Sequence, residues 1–383
     1  MKNNQKGFSL IELMIGMVIG LIAALVITNV LTKYEQQKRG ATGNSDAQTN
    51  GAIALYNIQR DIESAGWGLP TFGEDFSPFL CRLSNLSALN TEINHDNNAG
   101  TPNIGLSPIL ISNGTGTNSS DVISIRYGNT MKSGGSVRVT ASGANVLTVD
   151  NNLGCTVGDV ALVMRDGNPL PQFCQMTRVI ALSAAAVTPA TITLDATTAP
   201  ASSIIDDEVA CLGAWNEHQY AVGGPGTMLN QLTRTGTLNN AVFPAVGIPN
   251  AAPVAIVPDI VSMQAQYGVT NDLITNQVTS YVDATGGVWG PTITRNNRNL
   301  IKSIRVAVVA RSGLREPVAV STACNGGAAN LARVCIWNNT TDVDLTGLAD
   351  WANYRYRVYE TVIPLRNVMW SRVAINAGVL SGK

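Results

Sequence analysis

Glu12 is the single charge in a run of 24 residues, Phe8 to Leu31, that contains no proline. An ionised side chain at the centre of a membrane helix costs roughly 2.5–3.5 kcal/mol, and less near an end. Glu12 lies about one turn in. There it can stay at the interface, ionised or protonated, or pair with a cation on another helix. Gly16 and Gly20, at a spacing of four, would let a second helix approach closely; in a lone anchor they would be neutral.

Catalytic chemistry finds little elsewhere. The only imidazoles are His95 and His218, and no Cys has a His near it in the sequence. No G-x-S-x-G, Walker A or H-E-x-x-H stretch occurs. His218, in "WNEHQYAV", reads as a side chain on a half-exposed strand. Asp206, Asp207 and Glu208 cluster three acids but lack the spaced pattern of a calcium loop, so they read as a solvated turn. No metal site or cofactor is expected. In Tyr354-Arg355-Tyr356-Arg357 a strand would put both guanidiniums on one face and the rings on the other. That separation suits a core strand with a charged outer face better than a nucleic-acid surface.

The apolar run makes a helix of about 36 Å, long enough to cross a hydrocarbon core of about 30 Å. A cleaved secretory signal has a shorter apolar core with a small-residue site after it, whereas here Ala23-Ala24 lies inside the run. The segment is therefore expected to stay as a membrane helix. Lys2 and Lys6 precede it and Lys33, Lys38 and Arg39 follow, so the positive-inside signal is weak. The six cysteines are more informative. They are even in number, form no C-x-x-C and lack imidazole partners, which suits disulfides in an oxidising compartment. Their connectivity is open among 15 pairings. Sequence proximity favours Cys324–Cys335, then Cys155–Cys174, with Cys81–Cys211 by elimination. Free buried thiols are the alternative.

Lys6-Gly7-Phe8-Ser9-Leu10-Ile11-Glu12-Leu13 resembles the class III signal of type IV pilins and type II secretion pseudopilins. The resemblance implies removal of residues 1–7 by a prepilin peptidase between Gly7 and Phe8, and N-methylation of Phe8. It also implies a role for Glu12 in pairing with the terminal amine of a neighbouring subunit in a fibre. "ALYNIQRDIESAGWG", "LTRTG", "DIVSMQAQYGV", "SIRVAVVARS" and "YRYRVYETVIPLRN" are similar, in order, to segments of PilW-type minor pilins. Residues 70–225 carry no such resemblance. No proline precedes Pro70, whereas major pilins often have one in this helix, which argues against the abundant fibre subunit.

After the anchor, residues 32–68 continue in helical style. Leu55, Ile58, Ile62 and Ala65 form an apolar stripe of helical period that should pack under a β-sheet, with Arg60, Asp61 and Glu63 on the other faces. Gly66 and Gly68 should end it. "RGATGNSDAQTNG" predicts a weak point or break between Gly40 and Gly51. From residue 69 to 383, short strand-like runs alternate with Gly, Asn and Pro. The strands read from pattern are Val122–Tyr127, Ser136–Thr140, Val146–Asp150, Asp159–Arg165, Met176–Leu182, Thr191–Leu194, Ile260–Tyr267, Ser303–Ala310 and Tyr354–Ile363. The expected class is α+β, pilin-like: a long N-terminal spine helix, then a large, mostly antiparallel β-rich head. One expanded domain and two lobes both suit its length.

Loss of Lys2 and Lys6 with the leader leaves 23 cations against 26 acids, a net of −3, which offers nothing to attract a polyanion. The resemblance thus implies a non-enzymatic minor pilin that helps initiate type IV pilus assembly at or near the tip. Its implied partners are other minor pilins, the major pilin, the prepilin peptidase, the inner-membrane assembly machinery and a tip adhesin. The implied location is the inner membrane with a periplasmic head, then the fibre. A type II secretion pseudopilin, or a head that is itself a tip adhesive module within residues 70–225, are the rival readings.

Overall fold

The computed structural model describes residues 9–69, 82–83, 108–114, 119–132, 135–165, 173–184, 187–196, 207–223, 228–236, 252–271, 275–290, 297, 300–321, 333–337, 341–345 and 347–369. The expected α+β, pilin-like architecture is present. Helix α1 runs unbroken over 54 residues, Leu10–Glu63, about 80 Å at 1.5 Å per residue.

The predicted break between Gly40 and Gly51 does not occur. The buried residues of α1 are Gly43, Ala47, Gly51, Ala54, Ile58, Asp61 and Ile62, spaced by three and four up to the adjacent pair Asp61 and Ile62, so the glycines lie on the packing face. A Cβ on Gly43 would stand 3.2 Å from that of Ser312, and one on Gly51 would collide with the Tyr359 ring. Glycine weakens a helix by about 1 kcal/mol against alanine, but here it lets the backbone lie on the sheet. Gly51→Ala should therefore destabilise the chain by about 1–3 kcal/mol, because overpacking outweighs the propensity gain. Combining it with Tyr359→Leu should recover most of that loss. Thermal unfolding of the single and double variants tests this, and an unchanged midpoint for Gly51→Ala would refute the close-approach role. Beyond Ser64, Gly66 has φ +76° and ends the helix.

Eighteen strands follow among the described residues. The first six are β1 (Arg82–Leu83), β2 (Ile109–Ser112), β3 (Val122–Gly128), β4 (Ser136–Ser142), β5 (Val146–Val149) and β6 (Val160–Arg165). Next come β7 (Phe173–Leu182), β8 (Ala190–Leu194), β9 (Glu208–Gly213), β10 (Trp215–Val222), β11 (Gln231–Gly236) and β12 (Val254–Pro258). The last are β13 (Ile260–Val269), β14 (Ser280–Asp283), β15 (Ile301–Arg311), β16 (Arg333–Ile336), β17 (Thr341–Asp344) and β18 (Tyr356–Pro364). All nine strands read from pattern are among them.

Two sheets receive the helix. One is the five-stranded sheet β12-β11-β10-β3-β2, the other the four-stranded sheet β14-β13-β15-β18, and every pairing in both is antiparallel. The main core joins Ile58, Ile62 and Ala65 of the helical stripe, with Ala54 beside them and Leu55 partly buried against it, to Tyr220, Tyr267, Ile304, Val306 and Ile363. Strands β13 and β15 are buried almost end to end. The helix covers one of their faces, and the β16–β17 hairpin covers the other through Val261, Ala307, Val309, Ile336 and Trp337. A β-bulge between Ile260 and Ser262 switches Val261 to that second face.

The remaining strands close on themselves. Pairings β4–β5, β5–β8, β8–β7, β7–β6, β6–β9 and β9–β4 are all antiparallel and complete a six-stranded ring, with β1 added in parallel outside β7. Alternation decides which residues enter it: Ala161, Val163, Val209 and Cys211 share an interior with Leu147, Val149 and Ile192. Their neighbours Val160, Leu162, Met164, Ala210 and Leu212 face the main core instead. The barrel is inserted between two paired strands, since its chain leaves β3 and returns at β10 where Gly128 opposes Trp215.

Candidate assembly interface

Every residue from Ser9 to Arg39 is exposed. The helix therefore presents Leu10, Ile11, Leu13 and the apolar residues on through Leu31 with no cover from the described residues of its own head. Glu12 stands in the first turn, where the positive end of the helix dipole favours a carboxylate. A Cβ on Gly16 or Gly20 would meet nothing within 4 Å, so both remain open to a partner helix. The expected cleavage and methylation positions, Gly7 and Phe8, lie outside the described residues.

The other end of the helix is tied down by charge. Asp61, expected on an outer face, is 4% exposed. It lies three residues after Ile58 and four before Ala65, within the apolar stripe by spacing, and that was the signal that could have found it. Tyr220 donates its hydroxyl to Asp61 Oδ2 at 2.7 Å. His218 Nδ1 and Arg234 Nη2 each lie 3.0 Å from the same oxygen. Strand pairing brings these groups together, because Tyr220 opposes Arg234 across β10–β11 and His218 sits two residues earlier on β10. Burial alone would raise the Asp61 carboxyl's pKa, but the bonds from His218 and Tyr220 and the Arg234 charge outweigh it and hold the group below its usual range. Burial and the adjacent carboxylate push the Tyr220 phenol upward.

His218 is more enclosed than a half-exposed strand residue. Its ring meets Tyr127 edge-on at 5.5 Å between centroids, and its Nδ1 lies 3.4 Å from the Tyr127 hydroxyl. The cluster holds the helix to the sheet.

The cysteine expectations need correction. Cys155 is bonded to Cys211, not Cys174, which also removes the expected Cys81–Cys211 pair. The reason is sheet order. Strand β6 lies between β7, which carries Cys174 opposite Met164, and β9, which carries Cys211 opposite Ala161. Alternation then turns Cys211 into the barrel interior beside Cys155. Cys335 is disulfide-bonded too; its expected partner Cys324, like Cys81, lies outside the described residues.

The acidic cluster also differs from expectation. Asp207 is buried, and Glu208 opens β9 and accepts a bond from Ser136 Oγ at 2.9 Å. Asp206 and His95 lie outside the described residues. No group of three His, Cys, Asp or Glu among the described residues could hold a metal ion. On β18 the predicted alternation holds with a twist. Tyr356 and Val358 pack with the small core under the hairpin, while the exposed Arg355 and Arg357 lie on the helix side, where Arg357 Nε donates to Asn44 Oδ1 at 2.9 Å.

Comparison with known proteins agrees at both ends of the chain. Residues 2–28 match the model of the prokaryotic N-terminal methylation motif. Residues 220–367, strands β10 to β18, match that of type IV pilus-assembly protein W. No curated protein matches. A type IV-like pilin from Thermus thermophilus is similar at 11% identity and a TM-score of 0.25, over 56% of this chain and 88% of that one; at that score the likeness adds nothing to the fold described above.

A methylation-motif terminus on a long exposed apolar helix, set on an antiparallel head, fits a membrane-anchored pilin. Residues 2–28 thus carry a class III signal and residues 220–367 a PilW-type region, which together support a pilus-related minor pilin of PilW type. The barrel falls outside both matches.

Proposed function

We propose that the chain is a non-enzymatic minor pilin that helps initiate type IV pilus assembly and is incorporated at or near the tip. Residues 1–7 form the leader, 8–31 the membrane helix, 32–68 the spine continuation and 69–383 the head. The prepilin peptidase cuts after Gly7, Phe8 is N-methylated, and the head lies in the periplasm until the subunit enters a fibre with other minor pilins and the major pilin.

The observation that carries this reading is the wholly uncovered helix from Ser9 to Arg39. An apolar surface of this length needs lipid in one state and packed helices in another. Glu12 then sets register in the fibre by meeting a neighbour's terminal amine, because a helix docked one turn out of place leaves a desolvated charge unpaired.

Peptide mass spectrometry on filaments sheared from cells tests the proposal. The expected result is a peptide beginning at methylated Phe8 in the sheared fraction. An intact Met1 terminus on all of the protein would overturn it. Mature chain confined to the membrane would refute incorporation and favour the secretion-pseudopilus alternative.

A further inference from the structure

A groove of about 650 Å³ lies between the helix and the head where the two first meet. Its helix wall is the single face Lys33, Gln36, Gln37, Gly40, Ala41 and Asn44. Its head wall includes Glu316, Val318, Arg355 and Arg357. We propose that this groove binds the phosphodiester headgroup of an anionic phospholipid while the subunit is in the membrane, an inference that rests on the anchor reading above.

Position is the first argument. Lys33 is two residues past Leu31, so it stands about 3 Å beyond the apolar run, and Gln36 and Gln37 about 8 Å beyond. The headgroup layer adds roughly 5–7 Å to each side of the hydrocarbon. The lower end of the groove therefore opens at headgroup level.

Charge is the second. The lining has three cations, Lys33, Arg355 and Arg357, against one acid, Glu316. Glu316 is already engaged by Arg355 Nε at 3.1 Å. Neither Lys33 nor Arg357 meets an acid among the described residues. Arg357 spends one N–H on Asn44 and keeps the rest of a planar fork that matches phosphate oxygens. Val318, 65% exposed beside them, offers an apolar wall for the glycerol and upper acyl carbons. A second copy of the helix is the poorer occupant, since its own Lys33, Lys38 and Arg39 would be brought against this lining.

The test uses full-length protein in detergent, titrated with phosphatidylglycerol or phosphatidylcholine and read by native mass spectrometry. Flotation with vesicles of phosphatidylcholine, alone or equimolar with phosphatidylglycerol, runs in parallel. Wild-type protein should float with both vesicles and retain phosphatidylglycerol in preference. Lys33→Gln with Arg357→Gln should float equally but bind phosphatidylglycerol about 25-fold more weakly, at about fivefold for each cation at a membrane surface. Lys38→Gln with Arg39→Gln, outside the lining, should stay within about twofold of wild type, as expected for charges not in the site.

Equal losses in the two double variants would mean diffuse attraction and overturn the site. So would equal retention of the two lipids, displacement of phosphatidylglycerol by inorganic phosphate alone at equal concentration, or a protein dimer in place of the lipid adduct. Failure to float with either vesicle would overturn the anchor reading and the site together. Both substituted side chains are exposed, and an unchanged unfolding midpoint confirms that the variants fold.

Discussion

Glu12→Ala should be cleaved and methylated like the wild type yet enter filaments roughly a hundredfold less, the order expected when one member of a desolvated ion pair is left without the other. Cleavage chemistry belongs to the peptidase, and among the described residues no hydrogen bond or ion pair holds the Glu12 side chain. Its backbone N–H donates to Ser9 O at 3.0 Å in the first turn. The alanine helix should also insert normally, since removing a charge eases insertion. The loss must then arise where the helix leaves lipid for packed helices, with a neighbour's terminal cation and no carboxylate to meet it. The measurement is the ratio of mature peptide in sheared filaments to that in membranes. Wild-type incorporation of the alanine variant would sink the pairing role, and a failure of cleavage would show that Glu12 acts at an earlier step.

The largest effect on folding is expected from Asp61→Ala, which should destabilise the chain by about 3–5 kcal/mol, the range for removing one partner of a buried ion pair. Arg234 and His218 would be left facing a cavity, and the Tyr220 hydroxyl would lose its acceptor. The helix would lose its polar tie to β10 while keeping Ile58 and Ile62. Thermal unfolding in detergent would show the loss, and a drop under about 1 kcal/mol, the size of an exposed pair, would mean that the cluster is effectively solvated.

The pH dependence follows from the sign of the Asp61 shift. Its folded pKa lies below the ordinary value of 3.8. Below that value the unfolded chain takes up this proton first, so the stability from Asp61 is present above about pH 4 and is lost as pH falls through the folded pKa. Wild-type protein should lose stability along this acid limb, and Asp61→Ala should lack that share of the slope.

Several features were legible from residue order alone. The signal, the membrane-length run and the position of Glu12 depend on composition and spacing within a few turns, and no partner is needed to recognise them. The stripe Leu55, Ile58, Ile62 and Ala65 and the strands with clear alternation are local in the same sense. So is the separation of rings from guanidiniums at Tyr354–Arg357.

What residue order left undecided is what depends on which surface lies opposite. Gly43 and Gly51 looked like helix breakers because their cost is intrinsic, whereas the compensation comes from Ser312 and Tyr359, some 270 and 310 residues away. Asp61 looked like a solvent-facing acid because its three partners lie on β10 and β11, far along the chain. The nearest cysteine to Cys155 was the wrong partner because strand order, set by burial on both faces of β6, puts Cys211 inside the barrel and Cys174 on the next strand. Local pattern determined the anchor, the charge and the strand-forming segments. Only the tertiary structure decided which glycines, acids and cysteines meet, because a closed barrel and a docked helix satisfy long-range contacts that no local window contains.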